Sequence, residues 1–266
     1  MIQFSNNRIE PMLRDMWKTC FEDTDEYTEL IFTKKYKHEN TLVYMENAVA
    51  VAVLHMYPYV FSYYDRQVPV YYFAGLSTLP EYRKRGYMEL LIAESFKVMQ
   101  DRKIPLSILI PAEDWLYGFY AKYGYEKIFD KGTTVLPFRD ILNKYPTDLE
   151  YAYKEFDATF NRKDFTIRKS FDDFTTMAEE YRNDGYPPKY DLSGMARIVD
   201  AGYFLKIFEE ENPRKSLDVK VSDPIISENN KTFSINGGED KIEVDIKSLT
   251  RLLFDHHAPT MNLMLE

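Results

Sequence analysis

The amino-acid sequence predicts a mixed α/β (α+β) protein, and three observations carry that expectation. Apolar runs rich in β-branched and aromatic residues alternate, in the first half, with segments whose apolar residues recur every three to four positions. The order helix, antiparallel strands, then strand–helix–strand–helix–strand over residues 1–135 describes one α/β domain. In the last quarter "LDVKV", "TFSI" and "KIEVDI" alternate apolar and polar, the pattern of strands with one solvated face.

Taken in order, residues 8–32 place Ile9, Met12, Leu13, Met16, Trp17 and Cys20 at helical spacing, which predicts an amphipathic helix. "TLVYM" and "AVAVAVLHMYPYV" flank Glu46-Asn47 and predict a hairpin with a polar tip. "VPVYYFAGLST" (68–78) is mostly apolar without clean alternation, as in a strand buried on both faces. After Gly86, Met88, Leu91, Ile92, Phe96 and Met99 predict a helix to about Asp101. "IPLSILIP" (104–111) predicts a strand, and "AEDWLYGFYAKYGYEKIF" a short helix ending near Gly124 with a strand from Tyr125. Residues 136–194 are charged and helical in pattern and read as a helical linker, with a break at Pro187-Pro188. "MARIVDAGYFLKIFEEE" then predicts a helix, followed by the three alternating strands, a helix over "SLTRLLF" and the tail "MNLMLE".

Composition narrows the function classes. The 266 residues are 45% hydrophobic and 29% charged, as in a folded globular protein. With 22 tyrosines and 18 phenylalanines, aromatic side chains exceed what a small core needs and leave some to line a cavity. A net charge of −9 argues against nucleic acid and against an anionic membrane surface as partners. The single cysteine, Cys20, allows no internal disulfide and no multi-cysteine metal site, which fits a reducing cytoplasm. No basic start followed by an apolar run predicts a signal peptide, and the longest apolar stretch, 48–57, is too short to span a bilayer.

The most telling stretch is "LPEYRKRGYMELL" at 79–91, where Arg83, Lys84 and Arg85 abut Gly86 at the start of a helix. Cations at that end oppose the helix dipole, so a bound anion is the expected compensation. A solvated basic helix start is the plain alternative. A dinucleotide site needs three spaced glycines and a P-loop needs a glycine-rich run ending in Gly-Lys-Ser/Thr; neither pattern is present. The remaining reading is an acyl-CoA diphosphate cradle: strand, short turn, Arg-x-x-Gly, then helix. Backbone N–H groups would point at the diphosphate, and Gly86 would permit close approach.

"LSTLPEYRKRGYMELL" resembles the acetyl-CoA motif of the GNAT N-acetyltransferase superfamily, and "FYAKYGYEKI" resembles its second motif. Met88 stands where the superfamily has Gly or Ala, a bulk also found in its enhanced-intracellular-survival (Eis-like) branch. "RIVDAGYFLKIF", "VKVSDPIISENNKTFSI" and "VDIKSLTRLLF" resemble the sterol-carrier-like domain with which that branch ends. The resemblance implies a GNAT acyl-CoA N-acyltransferase fold over 1–135, a shortened helical region over 136–194 and a smaller sterol-carrier-like α+β domain over 195–266.

It also implies chemistry. The backbone of Leu76, Ser77 and Thr78 would line the pantetheine and offer an N–H to the thioester oxygen. Arg83, Lys84, Arg85, Gly86, Tyr87 and Met88 would hold the diphosphate. Tyr120 falls on the general-acid tyrosine, whose phenol can protonate the departing thiolate; its other reading is a core aromatic beside Tyr117 and Phe119. In the branch the C-terminal carboxylate reaches the active site, which makes Glu266 the candidate base, anchored by Met261, Leu263 and Leu265. His38, His55 and His256-His257 lack metal-ligand spacing and read as surface or core histidines, so no metal is expected. Glu22, Asp23, Asp25 and Glu26 could attract a cationic amine but read as a solvated acidic loop.

Two functions follow. One is an acetyl-CoA-dependent N-acetyltransferase acting on a primary amine, small molecule or exposed lysine, with acetyl-CoA as cosubstrate. The other is a non-catalytic carrier that senses acyl-CoA and binds an apolar ligand in its C-terminal part. The intact CoA stretch together with Tyr120 favours the enzyme. Acceptor loops are expected at Phe21–Tyr36 and Tyr57–Gln67, and a homo-oligomer stays open.

Overall fold

The computed structural model describes residues 1–129, 138–184, 193–238, 240–261 and 264. Among the described residues the main sheet has eight strands. β1 (Ile2–Phe4), β2 (Thr41–Glu46), β3 (Val49–Tyr63), β4 (Arg66–Thr78) and β5 (Leu106–Leu109) follow one another across it. Then comes β8 (Met195–Ile198) and last β6 (Glu126–Lys127), while β7 (Ile167–Arg168) pairs with the end of β3. Among its described strand pairs only β4 and β5 run parallel; the others are antiparallel.

Two turns set this order. Asn47-Ala48 and Tyr64-Asp65 all take positive φ, so both hairpins close with two left-handed residues, the turn whose twist matches that of the flanking strands. The second turn lies inside the expected acceptor loop at Tyr57–Gln67, which the structure corrects: those residues finish β3, turn, and start β4. The loop expectation rests on the resemblance, whose acceptor pockets are built from variable loops, and Tyr64-Asp65 lacks the Asn-Gly or Asp-Gly signal that marks a hairpin turn.

Helices cover both faces. α3 (Tyr87–Asp101) and α4 (Asp114–Ala121) bury Leu91, Ile92, Phe96, Tyr117 and Tyr120 against Leu42, Ala52, Leu54, Met56 and Phe73. The opposite face buries Val43, Val53, Tyr57, Tyr72 and Ala74 against α1 (Glu10–Cys20) and α2 (Asp25–Lys34). The single helix expected over 8–32 is therefore two. Thr24 caps the second by accepting from the Tyr27 N–H, and the Trp17 indole N–H donates to Asp23 at 2.8 Å across the break.

The middle region contains the expected helices, α5 (Phe138–Lys144), α6 (Leu149–Phe156) and α7 (Phe171–Asp184). It is more than a linker. Phe138, Phe156 and Phe174 are fully buried in the same core as α1 and α2, and β7 extends the main sheet.

The stretch "MARIVDAGYFLKIFEEE" also departs from one helix. Met195–Ile198 pair with β5 on one side and β6 on the other, and α8 (Ala201–Glu211) starts only after Asp200 caps the Tyr203 N–H. All four strand residues are buried, Arg197 among them through its pairing with Asp223, which favours a strand inside the sheet over an amphipathic helix with one solvated face. The expected C-terminal unit thus begins inside the N-terminal sheet. Beyond it, β9 (Leu217–Ser222), β10 (Thr232–Ile235) and β11 (Asp240–Asp245) form a three-stranded sheet in the order β10-β9-β11, packed by α8 and α9 (Ile246–Phe254).

Candidate active site

Three features of β4 make a site. The first is a wedge. β5 pairs with β4 only as far as Tyr72 opposite Ile108, yet β4 continues to Thr78. From Phe73 onward the edge facing β5 has backbone groups with no β5 partner, so an extended amide-bearing chain can pair there as a strand would.

The second is a bulge. Val53 lies opposite Ser77, but His55 lies opposite Ala74, so Gly75 and Leu76 together face Leu54. Gly75 takes φ +56, and an added Cβ would lie 2.4 Å from the Trp17 ring, so only glycine fits. Here the backbone turns its peptide groups out of the ladder. Leu76, Ser77 and Thr78 run from the bulge to the strand end beside the wedge.

The third is the turn into α3. Lys84 (φ +63) and Gly86 (φ +80) are both left-handed around Arg85, an alternation that turns successive N–H groups to one side as an anion nest. Gly86 is the N-cap of α3, and among the described residues no side chain caps the helix. The first-turn N–H groups therefore face outward with the positive end of the helix dipole behind them. A Cβ built on Gly86 meets nothing within 4 Å, so the residue borders open space.

The side chains of this turn are arranged around it. Arg83 Nε donates to the Thr78 carbonyl at 3.1 Å, and Arg85 donates to the Glu81 carbonyl at 3.0 Å. Tyr87 donates its hydroxyl to Glu46, stacks on Tyr44 at 4.4 Å, and Arg85 lies 3.8 Å from the same carboxylate. Met88 is half-buried and packs, with Leu76 and Tyr87, against the α3–α4 core. Bulk at that position is thus accommodated by turning it inward, away from the nest.

Tyr120 lies in that same core, 7% exposed, with its ring 5.8 Å from Tyr125 and 5.2 Å from Phe119. Burial raises its pKa well above the ordinary value, so the phenol stays protonated. Tyr117 is engaged elsewhere, donating to the Ser193 carbonyl at 2.7 Å. Glu266 lies outside the described residues, as do Leu263 and Leu265; Met261 and Met264 are buried.

Two of the four acidic residues near α1 are committed to other contacts. Asp25 pairs with Lys18 at 2.6 Å and Asp23 takes the Trp17 N–H. Cys20, read only as a compartment marker, faces the Thr78 carbonyl at 3.7 Å; burial raises its thiol pKa against the opposing pull of Arg83. His55 is a core histidine, 1% exposed, beside the bulge. Spacing alone held no sign of that placement, because the bulge that brings it there is a property of strand register. Among the described residues no group of three or more His, Cys, Asp or Glu gathers as a metal site, and no helix is long and apolar enough to cross a membrane.

Comparisons with known proteins bear on the fold that carries this site. Residues 6–128 match the family model described as an acetyltransferase (GNAT) domain. The fold is that of GNAT acyltransferases. It superposes on a GCN5-related N-acetyltransferase from Anabaena variabilis with a TM-score of 0.60 at 18% identity, covering 95% of this chain and 89% of that one. Eis1 from Mycobacterium abscessus gives 0.59 at 13% identity, covering 96% and 89%. A probable N-acyltransferase from Enterococcus faecalis gives 0.58 at 15%, covering 94% and 88%. No curated protein matches the sequence.

Proposed function

We propose that the chain is an acetyl-CoA-dependent N-acetyltransferase acting on a primary amine of a small molecule or an exposed lysine, working in the cytoplasm. The observation that carries this reading is the continuity of the nest at Arg83–Gly86, the open edge of β4 and the bulge at Gly75-Leu76. An acyl-CoA has the same three parts in the same order: a diphosphate, an amide-bearing arm and a thioester. The GNAT domain match over 6–128 and the shared fold support it.

In this mechanism the nest and α3 N-terminus hold the diphosphate through main-chain N–H groups, with Arg83, Lys84 and Arg85 adding charge at the rim. Leu76, Ser77 and Thr78 pair with the pantetheine arm, and an N–H of the bulge receives the oxyanion as the amine attacks. Nitrogen–carbon bond formation expels the thiolate, and Tyr120 gives it a proton. Burial raises the Tyr120 pKa, so the phenol holds its proton until the thiolate charge forms beside it.

The likeness to Eis1 over the whole chain supports assigning the protein to the Eis-like branch, with 195–266 as a sterol-carrier-like part. Phe204, Val219, Ile246 and Leu249 of that part are buried in the core it shares with the main sheet, with Phe204 against Tyr63. The test is thiol release from acetyl-CoA by purified protein against a panel of primary amines and lysine peptides. Release that depends on the amine is expected; a protein that binds acetyl-CoA yet releases thiol with none of them contradicts the reading.

A further inference from the structure

His55 carries a lone pair that nothing among the described residues uses. Its Nδ1 lies 3.0 Å from Thr41 Oγ1, and that hydroxyl donates its one hydrogen to the Lys37 carbonyl at 2.9 Å. Thr41 can therefore only accept from the ring, which places the imidazole hydrogen on Nδ1 and leaves Nε2 bare. Nε2 is fully buried without a hydrogen-bond partner. Burial lowers the ring's pKa to about 3, so it is neutral under ordinary conditions.

The placement is informative. His55 lies opposite Ala74, one residue before the bulge, and the point where a Gly75 Cβ would sit is 2.9 Å from His55 Cδ2, the atom bonded to Nε2. The Cδ2 edge of the ring thus packs beside the bulge assigned above to the thioester, next to the Trp17 ring. A second buried polar atom without a hydrogen-bond partner, the Tyr57 hydroxyl, belongs to the same strand two residues on. Unsatisfied buried polar groups are uncommon and costly, and two on one strand point to a polar occupant. Trp17, Phe32, Tyr36 and Tyr57 surround the imidazole, with ring centroids 5.8 to 6.3 Å away.

We propose that His55 is a catalytic residue of the acetyl transfer, whose Nε2 accepts a hydrogen bond from the attacking primary amine. This rests on the acetyltransferase reading and adds the acceptor side to it. A neutral imidazole among aromatic rings takes the amine in its uncharged, nucleophilic form. One N–H is held by Nε2 while the nitrogen lone pair points at the thioester carbon. As the N–C bond forms and the C–S bond breaks, the nitrogen turns cationic, and the hydrogen bond to Nε2 strengthens along with the attraction of the surrounding rings. The nitrogen sheds one proton on the Nε2 side and the sulfur gains one from Tyr120; exchange with solvent restores both groups. The acceptor is accordingly a primary amine on an apolar or aromatic carbon frame.

The test separates the two ring nitrogens. His55→Asn keeps an N–H near Nδ1 for Thr41 and loses Nε2; His55→Gln carries an oxygen near the Nε2 position. With the best amine of the screen, His55→Asn should lower kcat on the order of 10²-fold, with unchanged acetyl-CoA affinity by calorimetry, and His55→Gln should recover part of it. Wild-type kcat in His55→Asn overturns the proposal. Where either variant folds poorly, ring-15N NMR of the wild-type protein decides. Nε2 should appear unprotonated, and benzylamine added in the presence of CoA should shift it upfield. An Nε2–H tautomer, or a resonance unmoved at saturating benzylamine, overturns the role of His55. Failure of the wild-type protein to bind CoA at all would instead overturn the acetyltransferase reading.

Discussion

The Nζ of Lys169 donates to the Met261 carbonyl at 2.7 Å and to the Ile167 carbonyl at 3.2 Å, tying the tail of the chain to the strand that extends the main sheet. Lys169 is 2% exposed, and burial lowers its pKa from 10.5 to about 7, with Asp173 opposing and Lys35 adding to the shift. A neutral amine has two N–H groups, which match the two carbonyl acceptors. Between pH 7 and 10.5 the unfolded chain binds a proton at this lysine that the folded chain does not, so stability contributed by this group rises with pH across that window. Lys169→Met removes the dependence. From pH 7 to pH 9 the wild-type protein should gain on the order of 2 kcal/mol relative to Lys169→Met, read by denaturant melts. A difference that stays constant with pH would show that Lys169 is charged in the folded protein.

Arg197 and Asp223 test how the C-terminal part is joined to the main sheet. From β8, Arg197 donates to the Tyr123 and Ile198 carbonyls and to both oxygens of Asp223 at 2.8 Å. Both side chains are fully buried. Asp223 also accepts from Asn229 and from the backbone of Ile225 and Ile226. Asp223→Asn leaves the guanidinium buried without a counter-charge and should cost about 3–5 kcal/mol of stability. A melting temperature equal to wild type would show that Arg197 is solvated through an opening of the structure.

Tyr120→Phe removes a proton donor and little contact area. It should lower kcat on the order of 10²-fold while leaving the acetyl-CoA dissociation constant within about twofold. The kinetic effect should be insensitive to the amine used, because the proton goes to the sulfur. Turnover equal to wild type would make Tyr120 a core aromatic, as its packing on Phe119 and Tyr125 alone would suggest.

The fold class was legible where one local rule dominates. The first hairpin shows in its two apolar runs, although its turn is Asn47-Ala48 and not Glu46-Asn47; the strand ending at Thr78 shows in its unbroken apolar run, and the helix from Tyr87 in its three-to-four periodicity after Gly86. What stayed hidden depends on contacts distant in sequence. "MARI" has apolar residues that suit either a helix or a strand, and only the open side of β5 decides for a strand. The break between α1 and α2 depends on Thr24 and Asp23, which in sequence belong to an acidic run that reads as solvated.

The site divides the same way. The diphosphate turn is a contiguous motif, so Arg83, Lys84, Arg85 and Gly86 stand out in the sequence. The structure adds a left-handed Lys84, which no composition rule predicts, and an acidic neighbour, Glu46, reached across the sheet by Tyr87 and Arg85. His55 was hidden because its meaning comes from a one-residue shift in register between β3 and β4.

The central claim is that an acyl-CoA diphosphate sits on the backbone nest before α3. Isothermal calorimetry of CoA binding to the wild-type protein and to Gly86→Val tests it most directly. Gly86 takes φ +80 and borders open space, so valine both strains the turn and fills the place of the phosphates without disturbing packed neighbours. Wild-type protein should bind CoA in the micromolar to submillimolar range, and Gly86→Val, with its melting temperature close to wild type, should lose at least about 100-fold in affinity, equivalent to ~2.7 kcal/mol. Equal affinity in the two proteins, or no binding to the wild-type protein at millimolar CoA, would contradict the account.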